Sequence, residues 1–159
     1  MNSTRVVMGL IAWTGLCLGA GLIGSVFTTR SVGDWYLALS KPSWTPPQGV
    51  FGPVWTVLYV MMGVAAWLVW RRSGLVAAAL PLALFAVQLV LNIAWSAIFF
   101  GMRQPGWAFV DIVALWVAVF VTMIAFYRVT PTAGVLLAPY LVWITFASAL
   151  NLSIWRMNS

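Results

Sequence analysis

The chain alternates between long apolar runs and short polar breaks, a pattern typical of helical membrane proteins. Five runs are long enough to cross a bilayer, for which an α-helix needs about 20 residues. They cover residues 6–27, 46–70, 75–100, 105–127 and 131–155. The runs are continuous and do not alternate in ten-residue segments, so they predict helices and not a membrane barrel. We therefore expect an all-α integral membrane protein, a single domain over residues 1–159 built as a five-helix bundle.

The connections between these runs differ in length and in character. Three are short, so consecutive helices joined by them should be antiparallel neighbours. The first, over residues 28–45, is long and leads into the stretch KPSWTPPQ at 41–48. The prolines at 42, 46 and 47 restrict its backbone, and its tryptophans add aromatic surface. The sequence thus predicts a rigid, aromatic first loop.

Prolines also indicate where the helices begin and where they bend. Thr45-Pro46, Gln104-Pro105 and Thr130-Pro131 each place a proline at the predicted start of a helix, where its missing N–H is not needed. Three further prolines fall inside the predicted spans, where each removes a backbone hydrogen bond and should bend the helix. These are Pro53, Pro81 and Pro139.

Composition excludes several kinds of chemistry. Only 6% of the residues are charged and 64% are hydrophobic, far from the composition of a soluble domain. The chain has no histidine, and its only side-chain carboxylates are Asp34 and Asp111, so Ser-His-Asp hydrolysis, zinc hydrolysis and paired-carboxylate catalysis are excluded. The single cysteine, Cys17, rules out an internal disulfide, and we expect no metal site. The net charge of +6 comes from basic residues near span ends, which suits lipid headgroups and does not indicate a nucleic-acid partner.

Aromatic and amide side chains recur at helical spacing on three of the predicted helices. Five of the eleven tryptophans suit anchoring at the membrane surface, but four others lie well inside spans and need a partner or a polar pocket. The stripes are Trp55 and Tyr59; Gln88, Asn92, Trp95 and Phe99; and Tyr140, Trp143, Ala147 and Asn151. Such faces normally point into the bundle. They predict either an aromatic pocket for a flat amphiphilic ligand or a hydrogen-bonded core without a ligand.

Two other features allow two interpretations each. Asp111, inside the fourth span, is either functional or a structural charge that pairs with Arg103 or lies near the positive end of its helix. Gly15 and Gly19 form a G-x-x-x-G motif, which serves either packing inside the bundle or contact between two copies of the chain. The positions of the basic residues do not decide the orientation in the membrane.

Three segments carry a resemblance to a known family. The stretches DWYLALSKPSWTPPQGVFGPVWTVLY (34–59), QLVLNIAWSAIFFG (88–101) and APYLVWITFASALN (138–151) resemble the TspO/MBR family of tryptophan-rich sensory and translocator proteins. The resemblance extends over essentially the whole chain. It implies a five-helix bundle, usually a homodimer, that binds protoporphyrin IX or haem and, in some members, sterols or benzodiazepine-type ligands. We expect the membrane to be that of a bacterial cell.

The resemblance also implies which residues form the site. Lys41 and Arg30 would meet porphyrin propionates at the membrane surface. The walls of the pocket would be Tyr36, Trp44, Pro46, Phe51, Trp55, Tyr59, Asn92, Trp95, Trp143 and Ala147. One departure concerns sterols, since ALNLSIWR has Leu152 and no tyrosine shortly before Arg156, unlike the sterol-recognition pattern.

Three functions follow from these features. The first is a receptor or transporter-like protein that binds a tetrapyrrole beneath the first loop and has a sensing, regulatory or transport role. It requires no cofactor, and the absence of histidine favours metal-free porphyrin over haem. The alternative is an enzyme that degrades porphyrin with light and oxygen, with Trp55 and Trp143 as the catalytic residues implied by the resemblance. A weaker third candidate is an ion-coupled transporter that uses Asp111.

Overall fold

Apolar runs become five long helices in the computed structural model, which describes residues 3–159. Helix α1 is followed by a four-residue helix, α2, and a π-helical turn at Ala97–Gly101 extends α4. Each long helix, α4 together with its π-helical extension, is long and apolar enough to cross a membrane. The expected five-helix bundle is therefore confirmed. The helices are α1 (Ser3–Val32), α2 (Trp35–Ala38), α3 (Gln48–Ala77), α4 (Ala79–Ser96), α5 (Pro105–Val129) and α6 (Pro131–Met157).

The start of α3 corrects one prediction. The helix begins at Gln48, after Pro47 in an extended conformation with φ −55° and ψ 142°, and not at Pro46. The physical reason is the Pro-Pro pair, because a residue that precedes proline is pushed out of the helical region. Pro105 and Pro131 do lie at the first positions of α5 and α6, as predicted.

Helix α3 breaks at Gly74, with φ 74° and ψ 176°, which lies in the predicted connection between residues 70 and 75. Only glycine adopts that conformation readily. Residues 75–77 form one further helical turn between this break and the start of α4. Pro81 is consequently the third residue of α4, where its missing N–H has no intrahelical partner to lose, so the predicted mid-helix bend there is wrong. Pro53 and Pro139 do lie inside helices.

Helix α3 packs between α1 and α6. The contacts of α3 with α1 and α6 are more extensive than its contact with α4, and so are the contacts of α5 with α4 and α6. A Cβ added at Gly63 of α3 would lie 2.5 Å from the Cα of Thr14, so the backbones of α1 and α3 touch there. By contrast, no atom of another helix among residues 3–159 lies within 4 Å of a Cβ added at Gly15 or Gly19, so this motif does not serve packing inside the bundle. The homodimer stays a prediction.

The π-helical turn joins the end of α1 to the end of α4. Its wider winding is closed by a hydrogen bond of 2.8 Å from the N–H of Met102 to the carbonyl of Ala97. The hydroxyl of Ser31 donates to the carbonyl of Phe100 at 2.6 Å. This arrangement places Phe99 and Phe100, both buried, beneath α2.

Candidate functional site

The polar stripes on α4 and α6 face each other in the middle of the bundle. The hydroxyl of Tyr59 donates to the Asn92 side-chain oxygen, and the Asn92 amide donates to the hydroxyl of Tyr140 at 2.9 Å. Tyr140 in turn donates to the oxygen of Gln88 at 3.0 Å. All four side chains are buried. The spacing therefore predicted correctly that these groups converge, and three successive hydrogen bonds join them into one chain.

A second pair lies nearer the loop end. The indole N–H of Trp95 donates to the side-chain oxygen of Asn151 at 2.9 Å, and the Asn151 amide donates to the carbonyl of Pro105 at 2.8 Å. Trp116 likewise donates to the hydroxyl of Thr145 at 2.8 Å. Because these bonds pair the indole N–H groups of Trp95 and Trp116, neither side chain requires a polar pocket. For Tyr59, Asn92 and Trp95 the polar atoms are thus engaged within the protein.

Five aromatic side chains form a continuous surface between α3, α6 and the loop, which we call the aromatic wall: Trp44, Phe51, Trp55, Trp143 and Phe146. The ring of Trp143 lies 5.8 Å from Phe51, 6.5 Å from Trp55 and 5.4 Å from Phe146, measured between centroids. Phe146 lies 5.7 Å from Trp44 of the loop. Trp55 also stacks on Tyr59 at 5.5 Å. The aromatic wall therefore runs from the loop to the polar network.

Trp143 differs from the other tryptophans deep in the bundle. Its indole N–H is buried and has no hydrogen-bond partner among residues 3–159. Leaving a buried donor unpaired costs about 1–3 kcal/mol. Native proteins rarely keep such a group without a reason, and a ligand that supplies an acceptor is one. This N–H is a feature of the aromatic wall that could orient a bound molecule.

Tyr36 belongs to a neighbouring cluster and not to the aromatic wall. Its ring is buried, 5.7 Å from Phe100 and 6.4 Å from Phe99, and Phe99 stacks on Trp95 at 5.3 Å. Burial raises the pKa of the Tyr36 hydroxyl above its ordinary value. The ammonium of Lys41 lies 4.9 Å above the Tyr36 ring. This cluster supports the loop from below.

Lys41 is used differently from what the resemblance implies. Its ammonium donates to the carbonyls of Tyr36, Leu39 and, at 3.3 Å, Leu37. The first two distances are 2.7 and 2.8 Å. The three donors of the ammonium therefore close the end of α2, so a propionate would have to displace them. Arg30, at the end of α1, is exposed.

Pro46 and Ala147 are the remaining predicted residues. Pro46 is half-buried in the extended segment before α3, and Ala147 is half-buried one turn after Trp143. Phe146 was missed, although it follows Trp143 at helical spacing and could have been found by widening the α6 stripe. Asn158 was also missed: its side chain bonds Ser40 of the loop, 118 residues away, and no local pattern indicates this contact.

Asp111 has no ion pair with Arg103 or with any other residue in the described range 3–159. Its Oδ2 atom is buried and lacks a hydrogen-bond partner, and the first turn of α5 contains no acidic residue. The two structural interpretations, a pair with Arg103 and stabilisation at the helix start, are therefore both wrong. No group of three potential metal-ligating side chains of the His, Cys, Asp or Glu type occurs in the same range.

Comparison with known proteins decides the family. The model of the TspO/MBR family matches residues 13–156. The chain belongs to the TspO/MBR family. It is 46% identical over 158 residues to the tryptophan-rich protein TspO of Chlorobaculum tepidum, which covers 97% of this chain and 98% of that protein. Identity to the human translocator protein is 47% over 138 residues, 86% of this chain and 82% of the relative.

A third TspO/MBR relative is the tryptophan-rich sensory protein of Cereibacter sphaeroides. It is 42% identical over 125 residues, 79% of this chain and 77% of the relative. With the five apolar helices, family membership makes the chain a multi-pass integral membrane protein.

Proposed function

We propose that this TspO/MBR-family protein is a membrane receptor or sensor that binds a tetrapyrrole such as protoporphyrin IX against the aromatic wall. The sensory and translocator names of its relatives support a receptor-like role. A binding role also suits a chain without histidine, which lacks the usual general base. The ligand would be metal-free porphyrin, since the usual axial ligand of haem is absent.

The observation that carries this proposal is the unpaired indole N–H of Trp143 within the aromatic wall. A flat macrocycle gains from aromatic surfaces, with each ring pair contributing about 0.5–1.5 kcal/mol beyond area burial. A carboxylate or carbonyl at its edge would accept the hydrogen bond that Trp143 has available. The aromatic wall thus offers large apolar area and one directional contact, the usual composition of a small-molecule site.

The other predicted residues then take distinct parts. Trp44 and Pro46 would cover the ligand from the loop, and Ala147 would allow close approach to α6. Tyr59 and Asn92 would hold α3 and α4 in register behind the aromatic wall, through hydrogen bonds that need no ligand. Tyr36 and Trp95 would support the cover through their contacts with Phe99.

The experiment is a titration of the reconstituted protein with protoporphyrin IX, followed by tryptophan fluorescence quenching. Trp143→Phe keeps an aromatic ring and removes the N–H, so affinity should fall about fivefold to tenfold, the value of one hydrogen bond. Trp107→Phe is the matched control because Trp107 is 68% exposed on α5, away from the aromatic wall. Equal affinity of the two variants would contradict the proposed site.

A second candidate function rests on the proximity of Trp55 and Trp143. Their ring centroids are 6.5 Å apart and their planes nearly perpendicular, so both indoles would meet the same ligand. In light-dependent porphyrin degradation, dioxygen would be the oxidant and the porphyrin the reductant. Illumination of the complex distinguishes the functions. Soret loss that saturates with protein and disappears in the Trp55→Phe/Trp143→Phe variant indicates an enzyme, whereas bleaching at the rate of free porphyrin indicates binding alone.

A further inference from the structure

An arginine-lined groove lies at the end of the bundle opposite the aromatic wall. It consists of two adjoining depressions that share Arg71, at the last turns of α3 and the first turns of α1. Neither contains a residue of the predicted site. The first is lined by Ser3, Val6, Val7 and Arg71, and the second by Arg5, Trp70, Arg71, Gly74 and Leu75.

Contacts between α1 and α3 hold Arg71 in position. One turn before it, Trp67 donates its indole N–H to the carbonyl of Val6 at 3.0 Å. The guanidinium of Arg71 lies 5.0 Å from the centre of the Trp67 ring, which is within range of a cation–π contact. The ring of Trp70 packs over Gly9, where an added Cβ would lie 2.1 Å from the ring. Trp67 and Trp70, which contact α1, therefore support the guanidinium of Arg71 at the surface.

The charge at this end of the bundle is positive throughout. Because the helices run antiparallel, this end contains Arg5, Arg71, Arg72 and Arg128, whereas both carboxylates lie toward the other end. Asp34 precedes α2, and Asp111 follows the start of α5. Arg71 forms no ion pair with any described residue between 3 and 159. An anion in the groove would meet no competing or repelling carboxylate.

We propose that this groove binds one anionic phospholipid, with the headgroup phosphate on Arg71. A guanidinium can donate two parallel hydrogen bonds to phosphate oxygens. This planar two-point contact makes arginine better suited to phosphate than other side chains. Trp67 and Trp70 are of the type found at the headgroup level of a bilayer. Val7 and Leu75, which line the groove and are 54% and 61% exposed, offer apolar surface to an acyl chain. This apolar lining favours a lipid over free phosphate.

The test is native mass spectrometry of the full-length protein in detergent with phosphatidylglycerol, phosphatidylcholine or inorganic phosphate. One phosphatidylglycerol should remain bound at lipid levels where phosphatidylcholine does not. Arg71→Gln should lower that occupancy about fivefold, since it removes a charged bidentate contact. Arg72→Gln is the matched control: it removes the same charge from the next residue, which does not line the groove, and should change occupancy less than about twofold.

Three outcomes would overturn the lipid site. Equal losses in the Arg71 and Arg72 variants would mean that only net charge attracts lipid. Equal occupancy by phosphatidylcholine would mean that the groove does not select a headgroup charge. Displacement of the lipid by inorganic phosphate would mean that the groove is a phosphate site without an acyl-chain component. If Arg71→Gln does not fold, Trp67→Phe is tested instead. This variant removes the hydrogen bond from Trp67 to Val6 that supports Arg71, so it should likewise lower phosphatidylglycerol occupancy.

Discussion

Asn158, one residue after α6, bonds both the backbone N–H and the backbone carbonyl of Ser40 in the loop. The side-chain oxygen of Asn158 accepts the N–H of Ser40 at 3.0 Å, and its amide donates to the Ser40 carbonyl at 2.9 Å. The same amide also donates to the carbonyl of Ile154 at 2.7 Å, which ties the side chain to α6. The end of the chain therefore holds the loop in place beside the aromatic wall.

Asn158→Ala should loosen the loop. Two hydrogen bonds of about 0.5–1.5 kcal/mol each are lost, so the population of the open loop should rise by roughly tenfold. Hydrogen exchange of the peptide that covers residues 39–48 should accelerate accordingly. Ser159→Ala is the control, because its hydroxyl bonds only the carbonyl of Trp155. Unchanged exchange in Asn158→Ala would mean that the prolines alone hold the loop.

Asn92→Leu should destabilise the bundle even without a ligand. It removes the bonds to Tyr59 and Tyr140 and leaves their hydroxyls without these partners in an apolar interior. Because hydrogen bonds between membrane helices average about 0.6 kcal/mol, we expect a loss of about 1–3 kcal/mol in the free energy of unfolding. Denaturation in mixed micelles measures it. Ser153→Ala, whose hydroxyl is exposed and bonds only its own helix, should be neutral.

Gly63→Ala and Gly15→Ala should differ in their effect on the stability of the bundle. A methyl group at Gly63 would overlap the backbone of Thr14, and such overpacking costs about 1–3 kcal/mol. At Gly15 the methyl group meets open space, so bundle stability should be unchanged or slightly higher. Thermal unfolding compares the two variants. If Gly15→Ala also shifts the protein from dimer to monomer in size-exclusion chromatography, the motif lies between two copies of the chain.

Alkaline pH should weaken the support of the loop through Tyr36. Because burial raises the pKa of Tyr36, the folded protein keeps this proton at a pH where the unfolded chain has lost it. The stabilisation is complete below the unfolded value, about 10, and falls as pH rises above it. Tyr36→Phe should therefore show a smaller loss of stability above that pH than the parent protein. Identical pH profiles of the two proteins would contradict this role of burial.

The sequence predicts features that depend on neighbouring residues better than features that depend on contacts between distant residues. Apolar run length located all five helices, and the spacing of Gln88, Asn92, Tyr140 and Asn151 predicted the facing stripes, because both are local properties of a helix. The late start of α3 at Gln48 depends on the backbone conformation of a single residue, Pro47. Facing polar groups either hydrogen-bond to each other or leave a donor unpaired, as in Trp143. Which of the two occurs depends on distances between helices at the scale of an ångström. The hydrogen bonds between Asn158 and Ser40 join residues that are 118 positions apart in the sequence, and no periodic pattern predicts them.

The most direct measurement of the central claim is the NMR resonance of the Trp143 indole N–H in reconstituted protein with ¹⁵N-labelled tryptophan. Trp143→Phe assigns the signal. Addition of protoporphyrin IX should shift it saturably, as the unpaired donor gains an acceptor, while the indole signal of the exposed Trp107 stays unchanged. A shift at Trp107 with Trp143 unmoved would place the porphyrin outside the bundle and contradict the account.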